Sequence, residues 1–253
     1  MYILIFIFGA IIGSFLNVCI YRIPREESIA YPPSHCPKCS TSLKWVDLIP
    51  ILSFLIQKGK CRYCGEKISP QYPAIELLNA IIYLIIYIKF GFTLEFFFYS
   101  IFFSILIIIA NIDLQHMIIP DILIALILGT AAIYKLISYF KYGESLDLLN
   151  SIGGLLLSSL LFIVIIIISK GGMGGGDVKL IGSLGFIIGI KNIFLTIFLS
   201  FILGAIISIV LLILKIKGKK DPIPFGPFII LSFFTIVFLG EQLISWYIEV
   251  FLI

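Results

Sequence analysis

The sequence predicts an all-α polytopic membrane protein of about eight transmembrane helices, with one small polar domain inserted after the first helix. Three observations predict it. Sixty per cent of the 253 residues are hydrophobic and mean hydropathy is +1.17, whereas a soluble domain is about 45–50% apolar. Apolar runs long enough to cross a bilayer, about 20 residues each, recur along the chain. Pro, Cys and charge concentrate in a single stretch of the first third, 22–72. Charged residues are only 13% of the chain, and the net charge of +4 comes without a basic stripe interleaved with aromatics. That sets nucleic-acid binding aside.

The expected spans are 2–20, 74–90, 94–112, 120–139, 147–168, 178–190, 192–214 and 225–250. The first has no Lys or Arg before it, and Arg22 and Arg25 follow it. A secretory signal has the opposite charge order, so this is read as a retained helix. The sixth span is short and punctuated by glycine. Eight spans place both termini outside the cytoplasmic (inner) membrane. The eighteen Lys and Arg residues then divide unevenly. Lys89, Lys135, Lys141 and Lys191 face outside, and the other fourteen face the cytoplasm, among them Lys170, Lys179, Lys215, Lys217, Lys219 and Lys220. The positive-inside rule favours this orientation over its inverse. Three regions follow: a first helix, 1–21; a cytoplasmic zinc-binding domain with four cysteines, 22–72; and a helical bundle, 73–253.

Within 22–72, Cys36-Pro37-Lys38-Cys39 and Cys61-Arg62-Tyr63-Cys64 form two CxxC pairs separated by 21 residues. Two such knuckles can close on one tetrahedral Zn²⁺, as in a zinc ribbon. The metal would staple a domain too small for a core of its own. Redox dithiols or unmetallated thiols are the alternatives, and a cytoplasmic position argues against disulfides. Four thiolates leave no open coordination position, so the metal role is structural. His35 is read as solvated, and Cys19, in the first helix, as a packed apolar residue.

Three acids sit at expected helix ends: Asp113, Asp121 and Asp177. Ionisable groups at membrane depth default to functional hypotheses. Asp121 follows Pro120, which is ordinary helix-start chemistry. Asp177 can cap the helix it precedes. The run Gly171, Gly172, Gly174, Gly175, Gly176 before it marks either a flexible loop or a close backbone approach. Asp113 ends a helix, where the macrodipole disfavours an acid, so stability does not explain it. If Asp113 and Asp177 meet, they share one proton, because two close carboxylates do not both ionise cheaply. One can then deprotonate a water while the other polarises a scissile carbonyl. Asp113 is the candidate initial acid. Lys179 either biases that pair or snorkels to the interface.

Taken together the motifs resemble the type IV prepilin leader peptidases, of the GxGD aspartyl class. The ordered set begins with Gly13-Ser14-Phe15-Leu16-Asn17-Val18 and Tyr21-Arg22-Ile23-Pro24. Both CxxC pairs, Asp47-Leu48-Ile49-Pro50-Ile51-Leu52-Ser53 and Ile68-Ser69-Pro70-Gln71-Tyr72-Pro73-Ala74-Ile75-Glu76 follow. The run from Asp113 to Asp121, and Gly174-Gly175-Gly176-Asp177-Val178-Lys179, complete it. The resemblance implies that Asp113 and Asp177 are catalytic and that Asp121, Lys179, Gly174 and Gly176 are secondary site residues. It implies prepilin or pseudopilin substrates of pili or protein secretion, cut after a basic cytoplasmic leader. It also implies methylation of the new N-terminus from S-adenosylmethionine, because the cysteine tetrad marks the methylating type. Gly59 and Glu76 are then plausible participants in methylation, or else a turn glycine and a helix-start acid. No Gly-rich nucleotide motif identifies the methyl-donor site.

Other readings remain: a peptidase whose tetrad domain only docks substrate, a transporter with acids along an ion path, or a non-catalytic zinc or redox protein. The 22–72 stretch carries eight basic and four acidic residues. It would attract anionic lipid more readily than a basic leader.

Overall fold

A computed structural model of the chain describes residues 1–143, 147–169, 172–218 and 221–251. Lys170, Gly171, Lys219 and Lys220 lie outside the described residues. The elements are α1 (Tyr2–Arg22), α2 (Leu52–Ile56), α3 (Gln71–Phe90), α4 (Leu94–His116), α5 (Asp121–Tyr142), α6 (Leu148–Ile168), α7 (Gly175–Ile213) and α8 (Gly226–Phe251). Among the described residues seven helices are long and apolar enough to cross a membrane. No strand longer than an isolated bridge occurs among them.

The expected sixth and seventh spans fall in one 39-residue element, α7, which breaks at Gly189 (φ 74°, ψ 179°). Its two arms make the seven helices eight apolar segments. The break lies at Gly189, slightly before the boundary expected from hydropathy. Only glycine adopts that backbone geometry without strain. Helix α4 also runs past its expected end, and so carries Asp113 within its last turn.

The described chain separates into two compact units, Met1–Ile108 and Ile109–Ile253. In the first, α1 packs on α3 through glycine. A Cβ at Gly9 would stand 2.8 Å from Ala80 Cα, and one at Gly13 2.7 Å from Glu76 Cα. Small residues let helix backbones approach closely where lipid supplies no hydrophobic drive between them. The contact is completed by buried hydrogen bonds. Asn79 donates to Gly9 O at 2.7 Å, and Ser104 donates to Asn79 Oδ1 at 3.1 Å. Asn17 donates to Tyr72 O at 3.1 Å.

Between α1 and α3 lies the cysteine-rich insertion. Its two knuckles repeat one pattern. Cys36 N–H donates to Thr41 O at 3.0 Å, and Ser40 N–H to Cys36 O at 2.8 Å. In the second, Cys61 N–H donates to Glu66 O at 2.7 Å, and Gly65 N–H to Cys61 O at 2.9 Å. Ser40 and Gly65, each just after a second cysteine, both take positive φ.

The second unit holds the end of α4 and helices α5 to α8. Gly154 of α6 and Gly185 of α7 face each other's backbone so closely that a Cβ on either would collide with the other's carbonyl. At the α7 break, Ile190 N–H donates to Asn150 Oδ1 at 2.8 Å. That bond replaces one the helix loses at Gly189. Gly204 admits the rings of Phe225 and Phe228 against α7.

Candidate active site

Asp113 lies in the last turn of α4. The helix ends on Met117, whose φ is 55° and whose N–H closes onto Asp113 O at 2.9 Å, a left-handed C-terminal cap. The side chain is 6% exposed. Its Oδ2 accepts from the N–H of Gly226, the first residue of α8, at 3.0 Å. Misplacement at the negative end of α4 is thus offset by the positive end of another helix. Gly226 is required there, since a Cβ would stand 2.6 Å from that oxygen.

Asp177 occupies the third position of α7, 7% exposed. Its Oδ2 accepts from the N–H of Gly174, the N-cap residue, at 3.2 Å, so it does cap its helix. Its Oδ1 is buried and, among the described residues, has no hydrogen-bond partner. A buried acceptor left unsatisfied is rare and calls for a chemical reason.

The structure brings the two acids together. Ile119, in the turn between α4 and α5, fills the space beside both: a Cβ at Gly176 would stand 2.9 Å from Ile119 Cβ, and one at Gly226 3.5 Å from Ile119 Cδ1. Asp113 lies close enough to Asp177 for its charge to act on that carboxylate. Each has one oxygen fixed by a backbone N–H, from Gly226 or Gly174, and one left over.

Asp121 and Lys179 stand apart from the buried acids. Lys179 Nζ lies 2.6 Å from Asp121 Oδ1, with both side chains more than half exposed. Lys179 therefore spends its charge on Asp121 at the surface. Gly174 and Gly176 belong to the site through backbone and space, as N–H donor and as room for Ile119.

The four cysteines converge in the first unit. The sulfurs of Cys36, Cys39, Cys61 and Cys64 all lie within 4.8 Å of one another, and Cys36 and Cys64 sulfurs are 3.9 Å apart. A tetrahedral ion with bonds of about 2.3 Å to sulfur requires edges of about 3.8 Å. The donor set therefore fits a metal ion. Hydrogen bonding with Thr41 holds the Cys39 thiol down to about 6, whereas desolvation and the neighbouring cysteines push Cys64 up to about 12. Asp47 braces the knuckles: its carboxylate accepts from Arg62 Nε at 2.9 Å, Tyr63 OH at 2.9 Å and Lys44 N at 3.1 Å.

Glu76 is buried in α3, where its Oε2 accepts from Ile51 N–H at 2.7 Å. Gly59 takes φ +67° and backs the ring of Phe54, which a Cβ would approach to 3.1 Å. Glu76 and Phe54, but not Gly59, line a cavity of about 380 Å³.

Sequence reasoning missed Gly226, Ile119 and Asn150. The Gly226-Pro227 pair at a helix start was a visible signal for the first. An Ile and an Asn in apolar surroundings gave none.

Paired buried carboxylates at helix ends, inside a bundle of membrane-spanning helices, define a polytopic membrane protein of the aspartyl-peptidase class. Comparison with known proteins agrees. Residues 7–90 match the bacterial Peptidase A24 N-terminal domain, and residues 100–209 the type IV leader peptidase family. The chain is 39% identical over 246 residues to a prepilin leader peptidase/N-methyltransferase of Bacillus subtilis (strain 168), covering 97% of each chain. It is 33% identical over 274 residues to one from Legionella pneumophila, covering 98% of this chain and 94% of that one. It is 31% identical over 264 residues to one from Xanthomonas campestris, covering 95% and 92%. No solved structure matches the chain. The chain belongs to the type IV prepilin leader peptidase/N-methyltransferase family.

Proposed function

We propose that this protein removes the basic leader from type IV prepilin-like substrates at the cytoplasmic face of the membrane, and then methylates the new N-terminus. The observation that carries the peptidase reading is the unpartnered, buried Oδ1 of Asp177 beside Asp113. An acceptor in that position is completed by a proton, a water or a substrate group, and peptide hydrolysis supplies all three.

Asp113 and Asp177 share one proton. The ionised member takes a proton from a water as that oxygen attacks the scissile carbonyl carbon. The protonated member donates a hydrogen bond to the carbonyl oxygen, and a proton then passes to the leaving nitrogen as the C–N bond breaks. The proton belongs to the pair rather than to either residue, and Asp113 is our candidate for the initial acid. Gly226 and Gly174 hold one oxygen of each carboxylate, which fixes their orientation.

The cysteine cluster is proposed to hold a structural Zn²⁺ through Cys36, Cys39, Cys61 and Cys64. When bound, S-adenosylmethionine supplies a methyl on a positively charged sulfur; the amine nitrogen takes that methyl while the sulfur keeps the bonding electron pair and the amine releases a proton.

In this reading 1–21 is the first helix, 22–72 the cytoplasmic four-cysteine domain and 73–253 the peptidase bundle. Both termini face outside the cytoplasmic membrane. The partners are prepilins or pseudopilins and the bilayer.

Incubation of the purified protein with a prepilin, with and without S-adenosylmethionine, followed by intact-mass measurement, tests both activities. Leader loss is expected in both samples, and an added CH₂ only with the donor. Asp113→Asn and Asp177→Asn should each abolish leader loss; normal cleavage by either removes the shared-proton mechanism.

A further inference from the structure

The short helix α2 has two faces. Ser53, Phe54 and Gln57 point inward and line the cavity of about 380 Å³. Leu52, Leu55 and Ile56 take the opposite side, at the i, i+3, i+4 spacing that puts residues on one helix face. All three are exposed, Ile56 to 74%. Trp45, exposed to 78%, belongs to a single turn tied to the end of α2, since Gln57 Nε2 donates to Asp47 Oδ1 at 3.2 Å. Large apolar side chains grouped in this way mark a surface that something covers.

Two observations identify the cover. The first is position. Ile51, the residue before α2, donates its N–H to Glu76 Oε2 at 2.7 Å. Glu76 stands in the second turn of α3 and against α1, where a Cβ at Gly13 would lie 2.7 Å from its Cα. Both helices are long and apolar enough to cross a membrane. Helix α2 therefore starts alongside two spanning helices rather than beyond their ends, near the level at which α3 enters the bilayer. The second is charge. From Leu52 to Arg62 the chain carries three basic residues and no acidic one. Arg62 is paired with Asp47 at 2.9 Å. Lys58 and Lys60 are exposed, and among the described residues neither has a carboxylate within ion-pair distance. Lys60 and Ile56 border one shallow depression, so cationic and apolar surface are contiguous.

We propose that the outer face of α2 is a membrane-surface anchor, seated in the leaflet that the insertion faces and matched to anionic phospholipid. Leu52, Leu55 and Ile56 enter the boundary between headgroups and acyl chains, where apolar side chains leave water without a protein partner. Lys58 and Lys60 stay at headgroup level, with their stems along the apolar surface and their ammonium groups on phosphate. Trp45 supplies the aromatic ring that such interfaces favour. The inner face of α2 forms part of the cavity wall. Through Gln57 and Asp47 it is also linked to Arg62 of the second knuckle. Lipid contact at Leu52–Ile56 thereby holds the whole insertion at a fixed height on the bilayer. The anchor is independent of which reaction the insertion serves.

The test uses the full-length protein in nanodiscs of mixed phosphatidylglycerol and phosphatidylcholine. One lipid at a time carries a photoreactive diazirine near the top of its acyl chain. After irradiation of wild type, peptide mapping should find label on Leu52–Ile56 as well as on the spanning helices. Label at Leu52–Ile56 should come from phosphatidylglycerol roughly fivefold more than from phosphatidylcholine. In Lys58→Glu with Lys60→Glu that preference should fall to about one, with metal content equal to wild type as the check on folding. Label on the spanning helices of wild type but not on Leu52–Ile56 overturns the proposal. So does equal labelling of that segment from the two lipids. An unchanged preference in the double variant removes Lys58 and Lys60 from the contact, and with them the match to anionic lipid. A benzophenone amino acid in place of Leu55 tests the competing occupants: capture of an added prepilin, or of a second copy of the chain, in place of lipid makes the face a protein-docking surface and overturns the anchor.

Discussion

Asp113 accepts a hydrogen bond from the backbone of Gly226, 113 positions further along the chain, at 3.0 Å. The bond ties the end of α4 to the start of α8 and sets one carboxylate of the pair. Because a Cβ at Gly226 would lie 2.6 Å from the bonded oxygen, Gly226→Ala should push Asp113 out of line. A displacement near 1 Å costs on the order of 10²-fold in rate. Gly240→Ala, on the same helix, meets only Ile236, with Cγ2 nearest at 3.3 Å, and should cleave at close to the wild-type rate. Comparing prepilin processing rates of the two variants checks the claim.

Asp121 and Lys179 form an exposed pair, and such pairs contribute little to stability or to a buried reaction. Asp121→Asn and Lys179→Gln should each retain cleavage within about threefold, measured as initial rates on one prepilin. A loss comparable to that of Asp177→Asn would place the surface pair inside the reaction after all.

The α7 break rests on Gly189 and Asn150. Gly189→Ala adds a side chain at positive φ and drives it into the Asn150 carboxamide, for an expected destabilisation of about 1–3 kcal/mol. Asn150→Leu leaves Ile190 N–H without its acceptor, which should cost about 0.5–1.5 kcal/mol. Thermal unfolding in detergent should show both, and the double variant should fall short of the sum because the two residues share one contact.

Metal removal offers a separate measurement. Purified protein should contain one zinc per chain. Chelation, or Cys36→Ser with Cys61→Ser, should open 22–72 to limited proteolysis, since a domain of this size has few other stabilising contacts. Methylation should be lost with it. Proteolytic resistance after complete metal removal would show that Asp47 and the knuckle backbone suffice.

Much of the fold was legible from residue chemistry. Most of the expected spans lie close to observed helices because the bilayer demands length and apolarity, both of which are local properties. The cysteine spacing indicated one cluster, and all four sulfurs converge. Asp113 stood out as an acid at the wrong end of a helix. Hydropathy placed the α7 break just past Gly189 rather than on it, because Gly189 changes dihedral angles without changing the apolar pattern. Lys179 sits two residues from Asp177, yet points to Asp121, a direction that depends on how α5 packs on α7.

By itself the sequence determined the membrane-spanning helices, the tetrad and the acids able to carry a reaction, since each follows from side-chain chemistry and short-range spacing. Only the tertiary structure decided which acids are buried together, which backbone N–H groups hold them, and where a cavity lies beside Glu76. Those are contacts between positions tens to more than a hundred residues apart, and helix packing, through glycines that admit a neighbour, sets them.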